Sequence, residues 1–452
     1  MRHRLLPVEI WGIIFGFATA CPEEWEFGTR EHYGTFWPEP FGLNITIRRW
    51  KDALKTRRSL IAVSRFFNQL TIPLLYQSFF AIQSRQISHF RLALQTRPAL
   101  GEYIKRLGFF AQPDPYPHTE YLPILRCCPN VVFYNAELRP SGLKPAPSLR
   151  SLELIYTPEF DDKPTAPAFL YLLAGILQAT PQLEHLGLYH LPVRIKVTNC
   201  QPFVSIRLEY LRTLHLRAHS PYIYLPGTTL TVPLFSSLTL PRLEELLLDV
   251  GECDEGVLSG IPVLWLQQIH QFNVTHVSIA LCTLERSHFH RLRKFILDFS
   301  STSDDTRGRL HEKLPFIQLE EIELVSCTTP IDLRSDAAFQ ALYLVFCLCA
   351  DDTATPKLRS LSTDIIGLER RRRFMSPRII EERLNELQSV VNRVLVRGIE
   401  PRGLASSSLR SIIQKLIRNT ETWIDDGTDD GFMTEWVSSC SEDEDDSWGS
   451  DD

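Results

Sequence analysis

Leu183-Glu184-His185-Leu186-Gly187-Leu188 is the hexamer that decides how this chain folds. Its apolar-x-x-apolar-x-apolar pattern returns at Leu149-Arg150-Ser151-Leu152-Glu153-Leu154, Leu211-Arg212-Thr213-Leu214-His215-Leu216 and Leu243-Glu244-Glu245-Leu246-Leu247-Leu248. Looser copies are Val274-Thr275-His276-Val277-Ser278-Ile279, Leu292-Arg293-Lys294-Phe295-Ile296-Leu297 and Leu319-Glu320-Glu321-Ile322-Glu323-Leu324. Ile104-Lys105-Arg106-Leu107-Gly108-Phe109 and Leu358-Arg359-Ser360-Leu361 flank the series, and Pro147, Pro181 and Pro241 each stand two residues ahead of a first leucine. Recurrence of the whole unit is the mark of a repeat architecture, in which one unit buries its apolar face only by stacking on the next. Steps between the first residues, from Leu149 to Leu319, are 34, 28, 32, 31, 18 and 27, so the units carry inserts of unequal length.

The hexamers resemble leucine-rich repeats. The resemblance implies an α/β fold in which each hexamer is a short strand, the strands stack in parallel into an irregular solenoid, and the x positions face its concave side. It implies turn-capping roles for Cys282 and Cys327, three residues beyond Ile279 and Leu324. Concave candidates for holding a protein substrate are Glu244, Glu245, His276, Arg293, Lys294, Glu320, Glu321 and Glu323. Their banded charge suits a protein better than a nucleic acid, which wants continuous positive charge. Two plainer readings remain open: ordinary solvated strand residues, and buried parallel strands of another α/β fold.

At the N-terminus, Leu5-Leu6-Pro7-Val8-Glu9-Ile10 opens a helix, with Pro7 at a first-turn position and Glu9 in the positive field of that turn. Ile10, Ile13, Ile14 and Phe17 then recur at helical spacing. The Leu-Pro-x-Glu-Ile opening resembles an F-box, and Leu60-Ile61-Ala62-Val63-Ser64-Arg65-Phe66-Phe67 reads as a helix in its second half. The segment between the halves, residues 21–58, is much longer than the usual link. The resemblance implies docking on a Skp-type adaptor, and through it on a cullin, by Leu6, Pro7, Ile10, Ile13, Ile14, Val63 and Phe67. A plain core helix and a secretory signal compete for the same stretch, though Pro7 and Glu9 interrupt the apolar run a signal needs. A helix ending near Pro73 and a strand through Phe79-Phe80 complete an F-box-like region over residues 1–80.

The solenoid is expected over residues 81–365, starting with an amphipathic helix from Ile87 to Leu94 that Pro98 stops. C-terminal helices are expected over 366–424. The first runs from Ile379 to Val396, with Ile380, Leu384, Leu387, Val391 and Val394 on one face and Gly398 and Pro401 beyond its end. The second runs from Ser408 to Trp423. From Asp425 to Asp452 there are twelve carboxylates and no Lys or Arg, so this tail reads as disordered. Taking −12 from the net −6 leaves the rest of the chain at +6.

No run of about 18 apolar residues occurs, so no membrane span is expected. The 10 cysteines show no CxxC pair and read as buried thiols of a reducing compartment, cytoplasmic or nuclear. No phosphate loop, dinucleotide fingerprint, HExxH or GxSxG motif is present. No catalytic residue, metal or cofactor is therefore expected, and no nucleic-acid or membrane partner. Together the two resemblances imply the substrate-recognition subunit of a Skp–cullin–F-box ubiquitin ligase, which brings a protein substrate near a conjugating enzyme held elsewhere. The alternatives are a leucine-rich interaction scaffold unrelated to ubiquitin and a cysteine-dependent enzyme, which would need one thiol of depressed pKa beside a histidine.

Overall fold

The computed structural model describes residues 7–19, 40–81, 84–109, 121–137, 148–155, 166–189, 205–218, 237–250, 261–275, 289–298, 316–325, 331–332, 336–363, 366–367 and 377–402. It is a mixed α/β structure. Among the described residues three helices come first: α1 (Val8–Ala18), α2 (Pro40–Val63) and α3 (Arg65–Tyr76). Then β1 (Ser78–Ala81), α4 (Ser84–Thr96), a 3-10 turn at Pro98–Tyr103, β2 (Arg106–Phe109), α5 (Tyr121–Arg126), β3 (Phe133–Glu137) and β4 (Ser151–Ile155) follow. Next are α6 (Ala166–Ala179), β5 (His185–Tyr189), β6 (Ile206–Arg207), β7 (Thr213–Ala218), β8 (Leu238–Thr239) and β9 (Glu245–Val250). After α7 (Val263–Gln268) stand β10 (Gln271–Thr275), β11 (Lys294–Asp298), β12 (Glu321–Val325) and β13 (Ile331–Asp332). The described chain closes with α8 (Asp336–Ala350), β14 (Ser360–Thr363), β15 (Ile366–Gly367), α9 (Pro377–Val396) and β16 (Glu400–Arg402).

Twelve strands form one sheet in the order β1-β2-β3-β4-β5-β7-β9-β10-β11-β12-β14-β16, every pair parallel. The order never reverses, so the sheet grows one way along the sequence and has no switch point of the doubly wound kind. β6–β8 and β13–β15 make two small parallel pairs of their own.

One leucine row holds the stack. Leu107, Tyr134, Leu152, Leu186, Leu214, Leu246, Phe272, Phe295, Ile322 and Leu361 sit rung against rung, each 2% exposed or less. Each is worth about 2 kcal/mol of transfer free energy. The helices cover this row from one side: Phe90 and Leu94 of α4, Leu173 and Leu177 of α6, Trp265 of α7, Phe346 of α8 and Val391 of α9 all join the same buried cluster. At the entry to successive strands one carbonyl accepts two consecutive N–H groups from the next rung. Arg150 and Ser151 donate to Val132, Glu184 and His185 to Arg150, Arg212 and Thr213 to Glu184, and Glu244 and Glu245 to Arg212. This pairing satisfies both donors at each of these strand entries, so regular rungs can carry irregular inserts.

The hexamers of the sequence are the strands, with one shift of frame. The rung after β9 is Ile269-His270-Gln271-Phe272-Asn273-Val274, not Val274 to Ile279. Both frames satisfy the apolar spacing, and the earlier one wins because His270 and Gln271 donate to the Glu244 carbonyl. Measured to Ile269, the uneven steps of 31 and 18 become 26 and 23. The rung at β3 was not legible, since Val131-Val132-Phe133-Tyr134-Asn135-Ala136 carries no leucine.

Two helical expectations also change. Helix α3 runs through Pro73 to Tyr76 instead of stopping at the proline. Leu60 to Phe67 is not one helix: Ser64 is extended, at φ −163° and ψ 162°, and its hydroxyl accepts the Phe67 N–H at 3.1 Å. Ser64 thus ends α2 and caps α3. Residues 40–58, read as part of a long link, belong to α2. Helix α9 ends as its sequence demands, with Gly398 at φ +74° just past Val396. Leu6, His276, Cys282, Cys327, the Ser408–Trp423 helix and the acidic tail lie outside the described residues.

Candidate protein-interaction surfaces

Helix α1 has two apolar faces. Trp11 and Phe15, one turn apart, turn inward to Phe67 of α3, with centroids 5.2 and 4.7 Å from its ring; the Phe15 pair is edge-on. The far end is fastened from α2: Arg57, 2% exposed, donates from Nη2 to the Thr19 carbonyl at 2.8 Å. Thr19 Oγ1 donates in turn to the Phe15 carbonyl at 2.7 Å. A guanidinium at a helix C-terminus also meets the negative end of the helix dipole.

With Trp11 and Phe15 committed inward, the second face is left uncovered by any other described residue. Ile10 is 40% exposed, Ile13 55%, Ile14 40% and Phe17 81%. Val8 joins them on α1, and Val63 and Phe66 are exposed at the α2–α3 break. Apolar side chains grouped on one short helix are unlike the scattered exposure of an ordinary surface. Of the residues singled out in sequence, Pro7, Ile10, Ile13, Ile14 and Val63 are exposed here; Phe67 is not. Its ring fills the gap between α1 and α3, so it shapes this surface from beneath. Val8, Phe17 and Phe66 belong to the surface as well, and the helical spacing that marked Ile10, Ile13 and Ile14 already included Phe17.

The second surface is the sheet face opposite the leucine row. Its first register runs Arg106, Phe133, Ser151, His185, Thr213, Glu245, Gln271, Lys294, Glu321 and Ser360, and its second includes Asn135, Glu153, Gly187, His215, Asn273 and Glu323. Polar side chains are buried along β3 to β7. Asn135 Nδ2 donates to Glu153 Oε2 at 2.6 Å, and His185 Nε2 lies 3.8 Å from Glu153 Oε1. Tyr189 Oη and His215 Nδ1 are 3.2 Å apart, their rings edge-on. Gly187 is required between them, because a Cβ there would meet the Tyr189 ring at 2.9 Å.

Further along, Lys294 Nζ sits 2.8 Å from Glu321 Oε1 and 2.5 Å from Glu323 Oε2. Thr213 Oγ1 donates to Glu245 at 3.4 Å. Glu245, Lys294, Glu321 and Glu323 therefore share this face, as the hexamers imply. Glu244, Arg293 and Glu320 do not: they occupy the strand-entry edge, where the sign of charge alternates from Arg150 through Glu184, Arg212 and Glu244, then from Arg293 through Glu320 to Arg359. Neighbouring rungs lie about 4.8 Å apart, and Arg150 Nη1 reaches Glu184 Oε1 at 3.5 Å. This edge neutralises itself. At the rung after β9 the face is made by Gln271 and Asn273.

Two of the described thiols, those of Cys128 and Cys349, lie in the core. Burial pushes Cys128 and Cys349 up to about 12, so both stay protonated near neutral pH. Among the described residues no group of three or more His, Cys, Asp or Glu side chains is placed to hold a metal ion. Nor, among them, is any helix long and apolar enough to cross a membrane. No known family model matches the chain, and no curated protein matches it in sequence.

Proposed function

We propose that this chain is the substrate-recognition subunit of a Skp–cullin–F-box ubiquitin ligase. In that reading the bare face of α1 docks on the Skp-type adaptor, and the stacked strands carry a leucine-rich-repeat-type surface for a protein substrate. The observation that carries it is the outward set Ile10, Ile13, Ile14 and Phe17, presented on the helix that opens with the F-box-like Leu-Pro-x-Glu-Ile sequence. A core helix would turn these residues inward; here Trp11 and Phe15 do that work. The receptor needs no catalytic residue of its own, because it acts by raising the local concentration of substrate.

Co-expression of the full chain with a Skp-type adaptor and a cullin tests the reading. Stoichiometric co-purification of all three is the expected result. Absence of the adaptor from a folded, purified chain would leave the chain as an interaction scaffold unrelated to ubiquitin.

A further inference from the structure

The polar strand face carries a charge opposite to that of the chain around it. In its two registers Glu153, Glu245, Glu321, Glu323 and Glu400 stand against Arg106, Lys294 and Arg402. Lys294 is already held between Glu321 and Glu323, so that group alone keeps one carboxylate in excess. Outside the acidic tail the chain is at +6, so this acidic face does not simply follow the overall charge.

Acceptors are in surplus at one end of this face. Glu153 is 4% exposed and Asn135 2%. The Asn135 amide donates to the carboxylate at 2.6 Å, yet among the described residues Asn135 Oδ1 is buried with no hydrogen-bonding group opposite it. Ser151 Oγ, two residues before Glu153 on β4, is buried and also without a partner among the described residues. His185 Nε2 lies within ion-pair range of the carboxylate at 3.8 Å but makes no hydrogen bond to it, which leaves the carboxylate short of donors. A buried carboxylate is costly without a cation, and each orphaned acceptor adds a desolvation cost. A lysine ammonium brings three donors and no acceptor, and an arginine brings five. Either group suits the set of Glu153, Asn135 Oδ1 and Ser151 Oγ.

We propose that the polar strand face takes a basic polypeptide segment, and that Glu153, with Asn135 beside it, holds one of its lysine or arginine side chains. This rests on the reading of the strand face as the protein-binding side, and it names the class of substrate: a segment rich in Lys and Arg. A nucleic acid is disfavoured by the same carboxylates.

The test uses the full chain and fluorescent peptides of about twelve residues, one rich in Lys and Arg and one its Asp/Glu counterpart, followed by anisotropy. The basic peptide binds, more weakly as salt rises, and the acidic one does not. Glu153→Gln and the double variant Glu321→Gln/Glu323→Gln each weaken binding by about tenfold, a change of about 1.4 kcal/mol. Lys294→Gln strengthens it, an opposite sign that loss of structure would not give. The double variant changes partly exposed residues, so it remains informative if Glu153→Gln fails to fold. Unchanged affinity in every variant would place the peptide on the Asp425–Asp452 tail and overturn the proposal. So would equal binding of the acidic peptide, or no binding by either. No adaptor is present in the assay, so its failure and the failure of adaptor capture are separate results.

Discussion

Arg57 of α2 donates a hydrogen bond to the backbone carbonyl of Thr19, the residue that ends α1, and does so from a site only 2% exposed. The two residues are 38 apart in sequence. Through that bond the segment read as a link between F-box halves becomes the clasp that fixes how α1 is presented. Arg57→Ala should cost about 2 kcal/mol, the usual worth of a hydrogen bond from a charged donor. Arg57→Lys should recover only part, because an ammonium lacks the guanidinium fork. Denaturant midpoints and protease protection of α1 measure both. Full stability and full protection in Arg57→Ala would show that the clasp does not matter.

Gly101 in the 3-10 turn has no room for a side chain. A Cβ there would lie 1.8 Å from the Cys127 carbonyl oxygen, which is backbone and cannot rotate away. Gly101→Ala is expected to cost more than about 3 kcal/mol, through displacement of the end of α5 from the stack. Gly175 of α6, where an added Cβ meets nothing within 4 Å, is the control, and Gly175→Ala should be neutral or slightly stabilising. Equal chemical-denaturation curves for the two variants would contradict the packing described at Gly101.

The buried thiols make stability depend on pH in the alkaline range. Cys128 and Cys349 keep their protons in the folded state up to about 12 because burial disfavours the thiolate. In the unfolded chain a thiol ionises near pH 8.5. Below that pH both states are neutral and the thiols have no effect. As pH rises toward 12 the unfolded state alone loses protons, so stability falls by about 1.4 kcal/mol per pH unit for each thiol. Cys128→Ala with Cys349→Ala should flatten the slope of the unfolding free energy between pH 8 and 10. An unchanged slope would mean that these thiols ionise in the folded chain.

Charge changes at β11 and β12 should hardly touch the fold. The Lys294 group is partly open to solvent, with side-chain exposures of 19, 39 and 28% for Lys294, Glu321 and Glu323. Glu321→Gln should therefore shift stability by no more than about 1 kcal/mol, and less at high salt. Thermal melts at low and high ionic strength check this. A large loss would show that Lys294 is a structural charge rather than part of an available surface.

The strands were legible because each rung repeats the same burial problem. Leu186, Leu214 and Leu246 meet across the stack, each at the fourth position of its hexamer. The frame at β10 was ambiguous for the same reason: Val274 ends one acceptable hexamer and begins another, and only the hydrogen bonds of His270 and Gln271 to Glu244 choose. Rung β3 uses Phe133 and Tyr134 where its neighbours use polar residues and leucine, so it carried no repeat signal. At the first surface, helical spacing found Ile10, Ile13 and Ile14 but could not orient α1. Trp11 and Phe15 have the same period, and the choice of inner face rests on Phe67 and Arg57, more than 35 residues away. The F-box resemblance places Phe67 among the adaptor contacts, and local sequence does not sort such contacts from residues that pack the domain's own helices; beyond the break at Ser64 its ring meets Trp11 and Phe15. Pairing across the strand face, from Asn135 to Glu153 or Lys294 to Glu323, is long-range and leaves no mark in local sequence.

The most direct measurement is the affinity of a purified Skp-type adaptor for the full chain and for Ile13→Asp, by titration calorimetry. Ile13 is 55% exposed on α1, so the aspartate leaves the fold intact and places a charge in the middle of the bare face. The account predicts tight binding by the natural chain and a loss of at least about a hundredfold, near 3 kcal/mol, in the variant. Arg293→Glu, at the strand-entry edge, should bind the adaptor as the natural chain does. Equal affinity of the natural chain and Ile13→Asp, or no binding by either, would contradict α1 as an adaptor-docking helix.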